Sequence, residues 1–192
     1  MSVIKIKMPK IVASFGGSEK ATSNSATQLI DTSATFVSQG VQAGDLIYKH
    51  IPVTNTNVKL FVVDTVVDEN TITFEANASG FSINDAYVIV RPSETMNIYL
   101  EPQNIEYLEV TNSGALGSYL RIVSATDDAT ENEFRIFYYR KSNKSLTVGA
   151  TINEKMANGF IDVIDESLRG SYTKQTEFIP VSDVGMLFYR NV

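Results

Sequence analysis

The chain has one histidine, His50, and no cysteine. A histidine-based metal or general-base site needs further groups around it, because a constellation and not a single residue makes a site. His50 stands between Lys49 and Ile51-Pro52, where a strand-like run enters a loop, and it reads as an ordinary surface or interface residue. Serines and aspartates would suffice for a Ser-His-Asp triad, yet no Gly-x-Ser-x-Gly elbow presents a nucleophile. Asp127, Asp128, Glu131 and Glu133 could offer oxygens to calcium, but the D-x-[DN]-x-[DN]-G order of a calcium loop is missing, so this stretch reads as a solvated hairpin tip. Asp162, Asp165 and Glu166 fall on the polar side of an expected helix, where they serve solubility more readily than paired acid–base work. Gly16-Gly17, Gly114 and Gly117 lack a following Lys-Ser or Lys-Thr, so they supply turn chemistry and no phosphate cradle. The residues therefore carry no expected catalytic, metal or cofactor site.

Two groups of side chains are better suited to meeting a partner. In the run Phe134 to Tyr139, alternation puts Phe134, Ile136 and Tyr138 on one face and Arg135, Phe137 and Tyr139 on the other. One face suits a core under a helix. The other, with Phe137 and Tyr139, suits an interface, where aromatic residues and arginine are enriched. With Arg140, Lys141 and Lys144 nearby, the same rings could instead form a stacking platform for bases or sugars. The second group is the N-terminus, where Val3, Lys5 and Lys7 share one face and Ile4, Ile6 and Met8 the other, with no acid close in sequence to Lys5, Lys7 or Lys10. Such a strand can add to the edge of a neighbouring subunit or open its own sheet. Both alternatives stand.

The elements that would position these groups are mostly strands. Short β-branched runs separated by turn residues occur at Leu29-Ile30, Ala34 to Val37, Asp45 to Lys49, Val58 to Val67, Thr71 to Glu75 and Ala86 to Arg91. Pro9 and Pro92 are expected to interrupt strands, and Pro92 to Thr95 is a candidate boundary. Further strands are expected at Ile98 to Leu100, Ile105 to Val110, Leu120 to Ala125, Glu177 to Val181 and Met186 to Arg190. One helix is expected over about 151–169. Thr151 and Glu154 form a potential capping box, Ile152, Met156, Phe160, Val163, Ile164 and, at the end of the stripe, Leu168 recur at helical spacing, and Gly170 is placed to stop it. The expected architecture is mainly β: an N-terminal strand or arm (1–17), a small barrel- or sandwich-like domain (18–94), and a sheet covered by one amphipathic helix (95–192).

At 192 residues, with 43% hydrophobic and 20% charged residues, the chain has the composition of a folded protein. Its net charge of -6 argues against a broad nucleic-acid surface, which needs clustered lysine and arginine. Met1 to Pro9 is too short and too charged for a signal peptide, and no apolar run approaches the ~18 residues of a membrane helix. Synthesis in a cytoplasm, with no membrane partner and no small-molecule substrate, is the expectation.

The segment Asp31 to Asp45, DTSATFVSQGVQAGD, resembles a recurrent pattern in tailed-phage virion proteins, in which a threonine-rich stretch leads into F-x-x-x-G-V-x-x-G-D. A Val-rich run (Phe61 to Val67), a turn (Asp68 to Asn70), a Thr-Ile-Thr-like run (Thr71 to Phe74) and a D-A-Y-x-I run (Asp85 to Ile89) follow, as in that pattern. More loosely, the C-terminal helix followed by TEFIPVSDVG (Thr176 to Gly185) resembles β-modules with a single helix in phage virion proteins. The resemblance implies a non-enzymatic virion component, made in the host cytoplasm. It would be a capsid decoration or cement protein bound to copies of itself or to major capsid or tail proteins. The alternatives are a connector, tube or ring component of the neck or tail, or a carbohydrate-binding adhesin module.

Overall fold

The structure is a computed structural model, described here for residues 2–13, 20–50, 59–75, 80–113, 117–124, 132–169 and 175–191. It is mostly β, 53% strand in two sheets, with one helix near the C-terminus. The chain divides into two compact units: one is built from Lys10–Glu94, the other from Met1–Pro9, Thr95–Ser113 and Gly117–Val192. Two long strands, β1 (Val3–Ala13) and β6 (Ala86–Leu100), contribute residues to both.

In the Lys10–Glu94 unit the strands run in the order β1, β6, β3 (Leu46–His50), β4 (Lys59–Val66), β5 (Thr71–Phe74), β2 (Gln28–Ile30). The ladders from β6 to β2 are antiparallel, with Ile47 opposite both Ile89 and Phe61, and Ile72 opposite both Val66 and Leu29. The inward residues are aromatic and β-branched, as a pleated surface favours. Phe36, Phe61, Phe74, Phe81 and Tyr87 pack with Leu29, Val63 and Ile89 in one core, Phe61 and Phe74 with ring centres 4.5 Å apart.

In the second unit β1 lies between β10 (Gln175–Phe178) and β6. A second sheet has the order β11 (Val184–Asn191), β9 (Asn132–Arg140), β8 (Gly117–Ser124), β7 (Ile105–Ser113). Helix α1 spans Ala150–Arg169 and buries Met156 and Phe160 against Ile4, Ile6, Leu120, Ile136, Tyr138 and Phe178. Full burial of one such side chain contributes ~1.5–3 kcal/mol, which makes the apolar stripe, and not helix propensity, the main support of α1. The helix starts one residue ahead of the expected cap, so Thr151 sits in its first turn; Gly149, at φ +86, precedes it, and its carbonyl accepts the Asn153 N–H. The expected stop at Gly170 lies outside the described residues.

Three local expectations change. Ala34 to Val37 is no strand: Val41 N–H returns to the Phe36 carbonyl, Phe36 N–H bonds Glu69 O, and Gly40 closes the turn at φ +76. The strand propensity of Thr-Phe-Val yields here to the tertiary anchoring of Phe36, which is fully buried. Neither Pro9 nor Pro92 interrupts its strand. The β10 ladder on β1 ends at Ile6 and the β3 ladder on β6 ends at Val90, so neither proline's missing N–H falls within those two ladders.

Candidate functional site

The ionisable residues that could do chemistry fall into place as fold determinants. Among the described residues of the Lys10–Glu94 unit five charged side chains are buried: Asp31, Asp45, Lys49, Asp85 and Arg91. Asp45, in the turn before β3, takes a two-pronged contact from Arg91 on β6, with Nε and Nη2 each 2.9 Å from a carboxylate oxygen. The same carboxylate accepts Gln42 N–H at 3.0 Å, while Arg91 also bonds the Gly40 carbonyl and Glu94 at 3.0 Å. The Asp45 carboxylate, followed by Glu94, holds the Arg91 guanidinium well above its ordinary pKa. Asp31 accepts the Tyr87 hydroxyl at 2.7 Å and both the hydroxyl and N–H of Ser33. Asp85 meets the Lys49 ammonium at 2.8 Å and accepts Ser82 N–H at 2.7 Å, and Lys49 also lies 5.4 Å from the centre of the Phe81 ring. A buried charge is tolerated only when paired and hydrogen-bonded. Each carboxylate here spends its oxygens on pinning a loop to the sheet.

These are the residues that sequence reading missed as a group. Asp31 and Asp45 bound the segment that resembles virion proteins and Asp85 opens the D-A-Y-x-I run after it, while the partners Lys49, Tyr87 and Arg91 lie on β3 and β6. The available signal was an acid next to a turn glycine or serine: Gly44-Asp45, with Gly44 at φ +90, and Asp31-Thr32-Ser33.

The expected interface residues separate. Phe137 and Tyr139 are buried within the chain, at 4% and 5% exposure. Phe137 stacks on Phe188 with centres 4.5 Å apart and meets Tyr119 at 5.2 Å, in a row that crosses β7 to β11 at Thr111, Tyr119, Phe137 and Phe188. Tyr139 lies over Gly185, where a Cβ would fall 2.4 Å from its ring, and the Lys144 ammonium stands over the same ring, 5.3 Å from its centre. Alternation had separated the two faces of β9 correctly; it could not show that both would be covered. Burial also raises the pKa of Tyr138 and Tyr139, and the Tyr138 hydroxyl donates to Asn153 of α1 at 2.8 Å. Phe137, Tyr138 and Tyr139, which the sequence offered as a stacking platform, are thus covered by the chain itself.

Beside the aromatic row runs a charged one. Arg121 bridges Glu109 at 3.2 Å and Glu133 at 2.9 Å, and Arg135 bonds Glu133 as well. Arg121 covers Tyr107 and Arg135 covers Tyr119, at 5.2 and 5.4 Å from the ring centres. The Arg121 bridge, more than Arg135, holds the Glu133 carboxyl below the usual carboxylate range. The positive charge of this row is thus answered within the chain.

Val3, Lys5 and Lys7 lie together on the outward side of β1, while Ile4, Ile6 and Met8 are fully buried on the other. β1 pairs in parallel with β10 of its own chain, Val3 opposite Gln175 and Lys5 opposite Glu177, and has β6 on its other side. An interior strand offers no edge for addition, so the arm alternative gives way to the ordinary first strand. The acids that the local sequence lacked come from far along the chain: Lys7 meets Glu177 at 2.8 Å and Lys10 meets Glu94 at 2.8 Å.

His50 ends β3 with its backbone opposite Ala86, and its neighbours Ile51 to Val58 lie outside the described residues, as do Asp127, Asp128 and Glu131. Among the described residues no group of three or more His, Asp or Glu side chains is arranged to hold a metal ion, and no helix is long and apolar enough to cross a membrane. No protein-family model matches the chain, and no curated protein and no solved structure matches it.

Proposed function

We propose that this chain is a non-enzymatic structural component of a tailed-phage particle, acting as a capsid decoration or cement subunit. One observation carries the reading: the residues that bear the resemblance to virion proteins are the ones that lock the Lys10–Glu94 unit. Phe36, Val41 and Tyr87 are buried in its core, Gly40 and Gly44 take the positive φ that its turns need, and Asp31, Asp45 and Asp85 are buried on internal partners. A pattern of this kind specifies an architecture and leaves its carboxylates committed to the fold. The work available to such a protein is apolar burial against neighbours, at about 25 cal/mol per Å² less the cost of association, multiplied by repetition in a symmetric shell.

The adhesin alternative loses its support, because Tyr138 and Tyr139 are buried and not presented to solvent. The neck or tail alternative predicts a different location and is separated by one experiment. Particles produced with this protein are labelled with an antibody against it and viewed in negative stain. Label spread over the head surface is the expected outcome. Label confined to a ring at the neck or along the tail replaces the decoration role with the second one, and particles without label end the virion reading.

A further inference from the structure

We infer that copies of this protein bind one another head to tail, through two different exposed faces of the unit that carries α1. The first face is the outward side of β10, β1 and the end of β6. Strand alternation defines it. Ile4, Ile6 and Met8 point into the core, so Val3, Lys5 and Lys7 point out. Leu100 is buried and Ile98 packs on the core, so Tyr99 between them points out and is 54% exposed. Ile179, immediately past β10, is 76% exposed, the highest value among the exposed large apolar residues. Apolar side chains are thus set among two lysines, of which Lys7 is bridged by Glu177.

The second face is a ridge on α1. The helix buries Asn153, Met156, Phe160 and Ser167, yet its apolar arc continues past them: Ile161 and Leu168, two turns apart on one side, are 45% and 54% exposed. The charged residues around this ridge are mainly acidic, with Glu154, Asp162 and Asp165 against Arg169, and Asp165 reaches Arg169 only at 3.6 Å across the surface. Scattered exposed apolar residues need no explanation, but on one unit an apolar sheet face whose two lysines outnumber its one acid, Glu177, and an apolar ridge set mainly among acids do. The ridge placed on its own twin would set acid against acid. Placed on the lysine-bearing face of a second copy, it pairs opposite charges while Ile161 and Leu168 cover Val3, Tyr99 and Ile179. Because the two faces differ, the contact is heterologous and closes a ring or extends a row of subunits.

The inference rests on the assembly role proposed above, and the test separates the two. The wild-type chain, Lys5→Glu with Ile179→Glu, and Ile161→Lys with Leu168→Lys are compared by sedimentation velocity over a wide concentration range. Far-UV circular dichroism and melting temperature confirm that each variant is folded. Wild type is expected to grow into a series of oligomers with rising concentration, and each variant to associate at least about tenfold more weakly. A mixture of the two variants is the deciding arm, since each keeps one good face: it must form heterodimers under conditions where neither variant alone associates. Raising salt from about 0.05 M to about 0.5 M weakens the wild-type contact, because the rims are solvent-exposed charges. A wild type that stays monomeric throughout, or folded variants that fail to form heterodimers when mixed, overturns head-to-tail assembly. Either result leaves the particle-labelling outcome untouched.

Discussion

Among the described residues of the Lys10–Glu94 unit the buried polar side chains are charged: Asp31, Asp45, Lys49, Asp85 and Arg91. Among those of the unit with the helix they are Ser118, Asn153, Ser167 and Thr176, all neutral. The first unit has short strands and long connections, so its loops must be held down individually, and a buried carboxylate that accepts two or three bonds does that well. The second has long antiparallel ladders, and its core is closed by apolar burial under α1. One unit gains specificity from polar pairs that are costly to disturb, while the other spreads its stability over many interchangeable apolar contacts.

The largest effect should come from breaking the Asp45–Arg91 pair. Asp45→Ala leaves a guanidinium buried without its main acceptor and removes the bond to Gln42 N–H, at a cost of ~3–5 kcal/mol. Chemical denaturation should show this as a lower midpoint with an unchanged slope. Replacing both partners with apolar residues, Asp45→Leu with Arg91→Met, should recover much of the loss, because no charge is then stranded. If the single change costs less than about 1 kcal/mol, the lock described for the first unit is wrong.

A smaller effect is expected for the equivalent change in the second unit. Tyr138→Phe removes one neutral hydroxyl from Asn153 and leaves the ring in place, so the loss should be ~1–1.5 kcal/mol, including the cost of an amide oxygen without its donor. A loss as large as that of Asp45→Ala would erase the distinction between the units. Differential scanning calorimetry on both variants measures the two losses under one condition.

How far the sequence discloses this fold follows from the range of each interaction. Helix α1 was legible because its signal is local: Met156, Phe160, Val163 and Ile164 recur within a few turns, and the observed Ala150–Arg169 agrees with the expected span to one residue. Most strands were legible for the same reason, with ends displaced by up to three residues, as at β7, β8 and β10. The acid locks were not legible, because Asp45 and Arg91 are 46 residues apart and Asp31 and Tyr87 are 56 apart. Nothing in the neighbourhood of an aspartate tells which distant arginine or tyrosine will meet it. Phe137 and Tyr139 show the other limit. Period-two alternation assigned them to one face, but whether a face is covered is a property of packing, and both rings prove to be buried. Phe36 marks the case where tertiary anchoring prevails over strand propensity, and no window of a few residues contains Glu69, whose backbone carbonyl accepts the Phe36 N–H.

The smallest expected effect concerns surface carboxylates, and it should be shared by both units. Glu94 is held below the ordinary carboxylate range by Lys10 first and Arg91 second, Glu177 by Lys7, and Asp183 by the Ser142 hydroxyl. A carboxyl with a lowered folded pKa binds its proton less readily in the native state than in the unfolded one. Its contribution is therefore complete above the unfolded value of about 4 and disappears as pH falls through the folded value. The melting temperature should be flat from about pH 7 to about pH 5 and fall progressively below about pH 4. Glu177→Gln should remove part of that acid slope and lower the neutral-pH melting temperature only slightly, since Lys7 and Glu177 are 50% and 35% exposed and such pairs are weak. The neutral amide cannot gain a proton, so the variant and wild-type curves should converge as pH drops. Curves that stay parallel down to about pH 2 would show that the Lys7–Glu177 bridge contributes nothing to the β1–β10 ladder, and that this ladder, like the core beneath it, is held by burial alone.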